Sequence, residues 1–218
     1  DADYDMGDSD LCGIAGLVWS DKGRVDGAPA SVRAMTAELS HRGPDADGFW
    51  HCDNAAFGHR RLSIIDLTTG DQPMQSPTGM VVTYNGEIYN FVELREELED
   101  EGLTFKTNSD TEILLALYER DGEKCVDRLN GMFAFAIWDA SRHRLFMARD
   151  RLGKKPFYYM KTNGVLAFAS EIKALLAWTG AAEQDVDVRS LSDVLTFGYV
   201  LTPKTMFKGI RRLPGGHS

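Results

Sequence analysis

Two stretches of the chain each carry a pair of apolar, aromatic-rich runs joined by a short polar turn, and this pattern restricts the fold more than any other feature. MFAFAIWD (132–139) is followed by ASRHR and then LFMARD (145–150); FYYMK (157–161) is followed by TNG and then VLAFAS (165–170). Such runs bounded by turn residues form strands. Strands that return at once pair antiparallel, whereas parallel strands need a long crossover. Further β-compatible runs lie at 13–19, 49–52, 55–59 and 80–84. Between them the spacing predicts helices. Ala30–Leu39 places Val32, Met35 and Leu39 on one side, and Phe91–Glu101 turns Val92, Leu94 and Leu98 inward before Gly102 stops it. Asp110–Arg120 starts at Ser109 or Asp110 as N-cap, Glu171–Trp178 follows the second hairpin, and SLSDVLTFGYV (190–200) makes a last short helix. Helices interspersed between hairpins must cover sheet faces, so the pattern predicts a layered α+β sandwich.

Composition excludes several classes of function. An acidic leader, DADYDMGDSDL (1–11), holds five aspartates of a chain with net charge −9, and the remainder carries no basic stripe. Nucleic acid is therefore not expected as a partner. No apolar run approaches the ~18 residues of a membrane span, so a membrane is not expected either. Cys12, Cys52 and Cys125 form no CxxC pair and no disulfide framework, which suits a reducing cytoplasm. The five histidines include no HExxH and no Cys/His quartet, so no metal site is expected.

Several short motifs carry polar chemistry, and each has a plain structural reading when taken singly. Cys12 in CGIAG is a small residue packed beside glycines. RGPD (42–45) is a polar turn, NGEIYN (85–90) is a hairpin with Asn-Gly at its bend, and SDTE (109–112) is a capping box. Their order and spacing together point elsewhere. CGIAG, HRGPD, HRRLSIIDL, NGEIYN, SDTE, GMFAFAIWD, RDRLGKKPFYY and ASEIKAL follow one another along residues 12–218. This succession resembles the class II glutamine amidotransferases, whose glutaminase domains are N-terminal-nucleophile (Ntn) hydrolases. Within them it is similar to the glutaminase domain of glutamine-dependent asparagine synthetases.

The resemblance implies a four-layer αββα sandwich with two antiparallel sheets, and L-glutamine as substrate. It implies that Cys12 is the nucleophile, with its own α-amine as base; an α-amine has a pKa near ~7.7–8.0 and can shuttle a proton at neutral pH. Asn85 and Gly86 match the oxyanion hole, Arg61 the clamp on the substrate's α-carboxylate, and Asp110, with Glu87, the partner of its α-ammonium. Leu62, Ser63, Ile64 and Ile65 would add backbone contacts from the same strand. His41, Arg42 and Asp45 are expected to order the site rather than react, although Asp45 serves equally as a turn residue. Residues 12–187 would form the glutaminase domain and 188–218 a linker toward a C-terminal synthetase domain. The phosphate loop of that second domain is not in this sequence, so no cofactor is expected here; ATP and Mg2+ would belong to the second domain. A homodimer is an option that the sequence leaves open.

One departure stands out. The family pattern begins Met-Cys, with the Met removed, whereas Leu11 occupies that position here. A peptide-bonded Cys12 has no α-amine. The leader is then the product of a mis-set start, a propeptide or a permanent cap; the first is favoured, because Leu11 sits where the initiating Met belongs.

Overall fold

The computed structural model describes residues 12–20, 25–62, 70–180 and 185–218. Ten strands form two antiparallel sheets. In the first, β1 (Gly13–Trp19) lies between β3 (Ala55–Arg61) and β9 (Val165–Ala169). β2 (Ala46–His51) flanks β3, while β8 (Tyr158–Thr162) and β10 (Ile210–Arg212) extend the other edge. In the second, β4 (Met74–Gln75), β5 (Val81–Ile88), β6 (Gly131–Asp139) and β7 (Arg144–Arg149) run in that order. Both hairpins expected from the sequence, β6–β7 and β8–β9, are present.

Each sheet buries both faces, which makes four layers. α1 (Ala28–Ala37) and α5 (Ile172–Thr179) cover the first sheet, with Val32, Met35, Leu39, Ala174 and Leu175 packed on Leu17 and Ala167. α2 (Phe91–Asp100), α3 (Asp110–Asp121) and α4 (Cys125–Arg128) lie on the second sheet, with Leu94, Leu98, Ile113, Leu114 and Leu117 against Val82, Phe135 and Phe146. Between the sheets lies a third layer of apolar contact, where Ile14, Phe57, Val81, Trp138, Phe157 and Phe168 interdigitate. The protein is thus the αββα sandwich expected above. Alternation along β3 and β5 sends Phe57, His59 and Arg61 from one sheet toward Val81, Thr83 and Asn85 of the other. The inter-sheet layer thereby turns from apolar to polar along its length.

Three local readings differ from the structure in detail. Asn85-Gly86 is not a bend: it lies inside β5, paired with Ala134 and Phe133 of β6, because strand pairing overrides the local turn preference. Val92, expected to face inward, is 48% exposed; α2 presents Leu94 and Leu98 to the core, and Val92 falls outside that stripe. The segment 188–218 has the short helix expected there and one strand in addition. It carries α6 (Val188–Phe197), whose Leu195 stands in solvent, and β10, which hydrogen-bonds to β8. Three residues of strand are too short to leave an alternating signature in a basic, turn-rich stretch.

Candidate active site

β1 is held on both sides by neighbouring strands, and Cys12 sits immediately before it. The backbone N–H of Ile14 donates to Ser170 Oγ (3.0 Å), and Ser170 N–H returns to Ile14 O (2.9 Å), fixing the start of the strand. Arg42, 4% exposed, donates from Nε to Cys12 O (3.3 Å) and from Nη1 to Glu171 (3.0 Å). His41 also meets Glu171 (2.8 Å). The HRGPD and ASEIKAL stretches therefore converge on one buttress behind Cys12. Asp45 donates its backbone N–H to Arg61 O (3.1 Å) with its side chain exposed.

The Cys12 thiol faces Leu62, whose N–H donates to Sγ (3.4 Å) and whose carbonyl lies 3.6 Å away. Burial pushes the thiol pKa up, opposed by the Leu62 N–H and by the positive charge of Arg61. It therefore rests as a thiol, and a base is needed to make it a nucleophile.

One pocket joins Cys12, Arg61, Leu62, Asn85, Gly86, Glu87 and Asp110. These are all the expected site residues except Ser63, Ile64 and Ile65, which lie outside the described residues, as does the leader 1–11. Asn85 is fully buried, and neither its Nδ2 nor its Oδ1 has a partner among the described residues. Gly86 has no room for a side chain, since a Cβ there would run into the Met132 carbonyl oxygen and Phe133 Cα. Asp110 stands in the first turn of α3, after Ser109, whose side chain caps the helix by accepting from Thr111 N. Its Oδ2 accepts from Tyr84 Oη (2.7 Å) and from Ile88 N (3.0 Å). Burial raises the Asp110 pKa, partly offset by these hydrogen bonds, and also raises that of Tyr84.

The pocket thus brings together a thiol and a neutral amide donor, and with them a cation and a carboxylate. The first pair suits attack on a carbonyl and stabilisation of the oxygen that becomes charged. The second suits an amino acid's own charged groups. Among the described residues, no group of three or more His, Cys, Asp or Glu side chains is placed to hold a metal ion, and no helix is long and apolar enough to cross a membrane.

The profile of the family described as glutamine amidotransferase domain matches residues 11–218. The chain belongs to this glutamine amidotransferase family. It is 44% identical over 212 residues to asparagine synthetase [glutamine-hydrolyzing] 3 of Bacillus subtilis, covering 95% of this chain and 34% of that protein. A putative asparagine synthetase [glutamine-hydrolyzing] 2 of Methanocaldococcus jannaschii is 32% identical over 93% of this chain and 42% of its own length. The chain therefore spans well under half the length of these relatives. Among solved structures it resembles the glutamine phosphoribosylpyrophosphate amidotransferase from B. subtilis, with a TM-score of 0.64 at 24% identity over 77% of this chain and 44% of that one. That likeness shows the shared amidotransferase sandwich.

Sequence reasoning missed several pocket residues of this amidotransferase domain. Tyr84, Gln72, Thr111 and Met132 line it, yet only strand register and helix placement bring them there. Lys155, 2% exposed, is close enough to feel the charges of Arg42, Asp150, Cys12 and Glu87; burial, then Arg42, pushes its pKa down to about 8. The KKP stretch of RDRLGKKPFYY was the available signal.

Proposed function

We propose that this domain hydrolyses L-glutamine to glutamate and ammonia, through a thioester on Cys12. The observation that carries the reading is the buried Asn85 amide, without a partner among the described residues and lining the same pocket as the thiol. A polar group left unsatisfied in a folded core costs free energy, and a donor held ready for a developing oxyanion is a reason to keep it. Arg61 binds the α-carboxylate and Asp110, with Glu87, the α-ammonium. Cys12 Sγ attacks the side-chain amide carbon, and Asn85 Nδ2 and Gly86 N–H receive the negative oxygen. Collapse breaks the C–N bond, and ammonia leaves carrying the proton taken from the thiol. Water then cleaves the thioester, restoring the thiol and releasing glutamate.

The proton must pass through a base, and the α-amine of Cys12 serves once no residue precedes it. The names of the relatives support the further reading that the ammonia reaches a synthetase domain that aminates an adenylated carboxylate, aspartate giving asparagine. ATP and Mg2+ would be used there. Three free cysteines suit a reducing cytoplasm.

The test compares protein beginning at Cys12 with protein retaining Asp1–Leu11, its intact state checked by mass. Ammonia release from glutamine, without ATP or metal, is expected only from the first. General-base help is worth about 10²–10⁴-fold, and the second should fall by at least that much with an unchanged circular dichroism spectrum. Equal turnover by an intact leader-bearing chain would remove the α-amine from the mechanism.

A further inference from the structure

Arg61, one of the residues that line the pocket, is already engaged. Its Nη1 donates to Asp71 Oδ1 at 2.7 Å. The two partners differ sharply in setting: the Arg61 side chain is 9% exposed and that of Asp71 is 86% exposed. The backbone beside Asp71 is pinned. Gln72 Oε1 accepts from Tyr84 N (2.7 Å) in β5, and its Nε2 donates to Thr111 Oγ1 (3.4 Å) in α3. From the other side the Gln72 carbonyl presses so close to Gly48 of β2 that a Cβ there would collide with it. The neighbouring Gln72 is thus anchored through its side chain and packed closely on β2, while the Asp71 carboxylate stands in water. Rotation about its own side-chain bonds is enough to release the guanidinium.

We propose that Asp71 is a displaceable latch on Arg61. It holds the guanidinium while the pocket is empty, is turned out by the incoming α-carboxylate of the substrate, and so weakens the affinity for the amino acid. The inference rests on the glutaminase reading, because it needs a substrate carboxylate to compete with that of Asp71. Asp71 occupies the Nη1 donor, so a substrate carboxylate that approaches the edge containing Nη1, to be held by two parallel N–H donors, competes with it there. The exchange is an inexpensive one. An ion pair with one member in solvent contributes little, at most about a fivefold factor in an equilibrium, and the substrate regains a similar contact in place of the one it breaks.

The experiment measures KM for L-glutamine, and Kd for L-glutamate by calorimetry, on protein beginning at Cys12 and on its Asp71→Ala and Asp71→Asn variants. Asp71→Asn keeps the shape and removes only the charge. Both variants should show KM and Kd lowered by about two- to fivefold, with the change falling on KM rather than kcat. The difference should narrow in high salt, where such a pair is screened. A KM that rises in both variants would make Asp71 a substrate ligand, and unchanged KM and Kd would make it an ordinary surface pair; either result overturns the latch while leaving the glutaminase reading intact. A parent protein that neither binds nor hydrolyses glutamine would overturn both.

Discussion

Asn85 holds two polar atoms in the interior without a partner among the described residues, a state that costs about 1–3 kcal/mol per group. Pairing of β5 with β6 fixes the backbone that carries the amide, which under the proposed role would leave little to rearrange as charge develops on the substrate oxygen. Asn85→Ala should therefore lower kcat for glutamine hydrolysis by about 10²–10³, the usual loss for one oxyanion donor, with KM little changed. Steady-state kinetics decides it: a raised KM at constant kcat would make Asn85 a ground-state ligand. At this scale the residues with distinctive chemistry were legible in the sequence. Cys12, Arg61 and Asp110 each sit in a short string whose order along the chain is informative. Tyr84 and Gln72 were not legible, because a tyrosine in a strand and a glutamine before a proline gain meaning only when β5 and α3 bring them to the same pocket.

Among the elements, α3 does most to arrange the substrate end of the pocket. Ser109 caps it, Glu112 accepts from the backbone N–H groups of Lys106 and Thr107, and Asp110 is thereby delivered to Tyr84 and Ile88. Ser109→Ala should cost about 1 kcal/mol of stability, as loss of a cap usually does. It should also raise KM for glutamine through misplacement of Asp110, a coupling that denaturant titration and kinetics on one variant will reveal. Stability lost with KM unchanged would separate the cap from the site. The helix ends were legible because caps and stopping glycines act locally; the expected span 110–120 is one residue short of the observed one. β5 was half legible. Its apolar beginning is β-compatible, but its second half contains Asn-Gly, which lies within the eight residue pairs with β6 that no local rule foresees.

For the molecule as a whole, the inter-sheet layer contains a titratable group that folding has made neutral. His59 is 1% exposed, its Nδ1 lies 3.3 Å from Thr83 Oγ1, and burial, then Arg61, pushes its pKa down to about 3. In the unfolded chain its pKa returns to ~6.5. The unfolded state thus binds the extra proton first as pH falls, so this contribution is complete above pH ~6.5 and is lost between there and about 3, at close to 1.4 kcal/mol per unit. Urea midpoints at pH 7, 6 and 5 should fall accordingly for the parent and stay flatter for His59→Gln; equal slopes would place the acid sensitivity elsewhere. The far end of the chain is tied in as firmly. The buried Arg149 guanidinium donates to the carbonyls of Gly153, Lys155 and Leu213, and Arg149 N–H donates to His217 O. A nascent chain that has reached only the β7–β8 connection holds that cation short of one of its acceptors. Synthesis must deliver some sixty further residues before the carbonyl of Leu213 arrives. Part of the hold on this buried cation is therefore out of reach until residues far along the chain have been made.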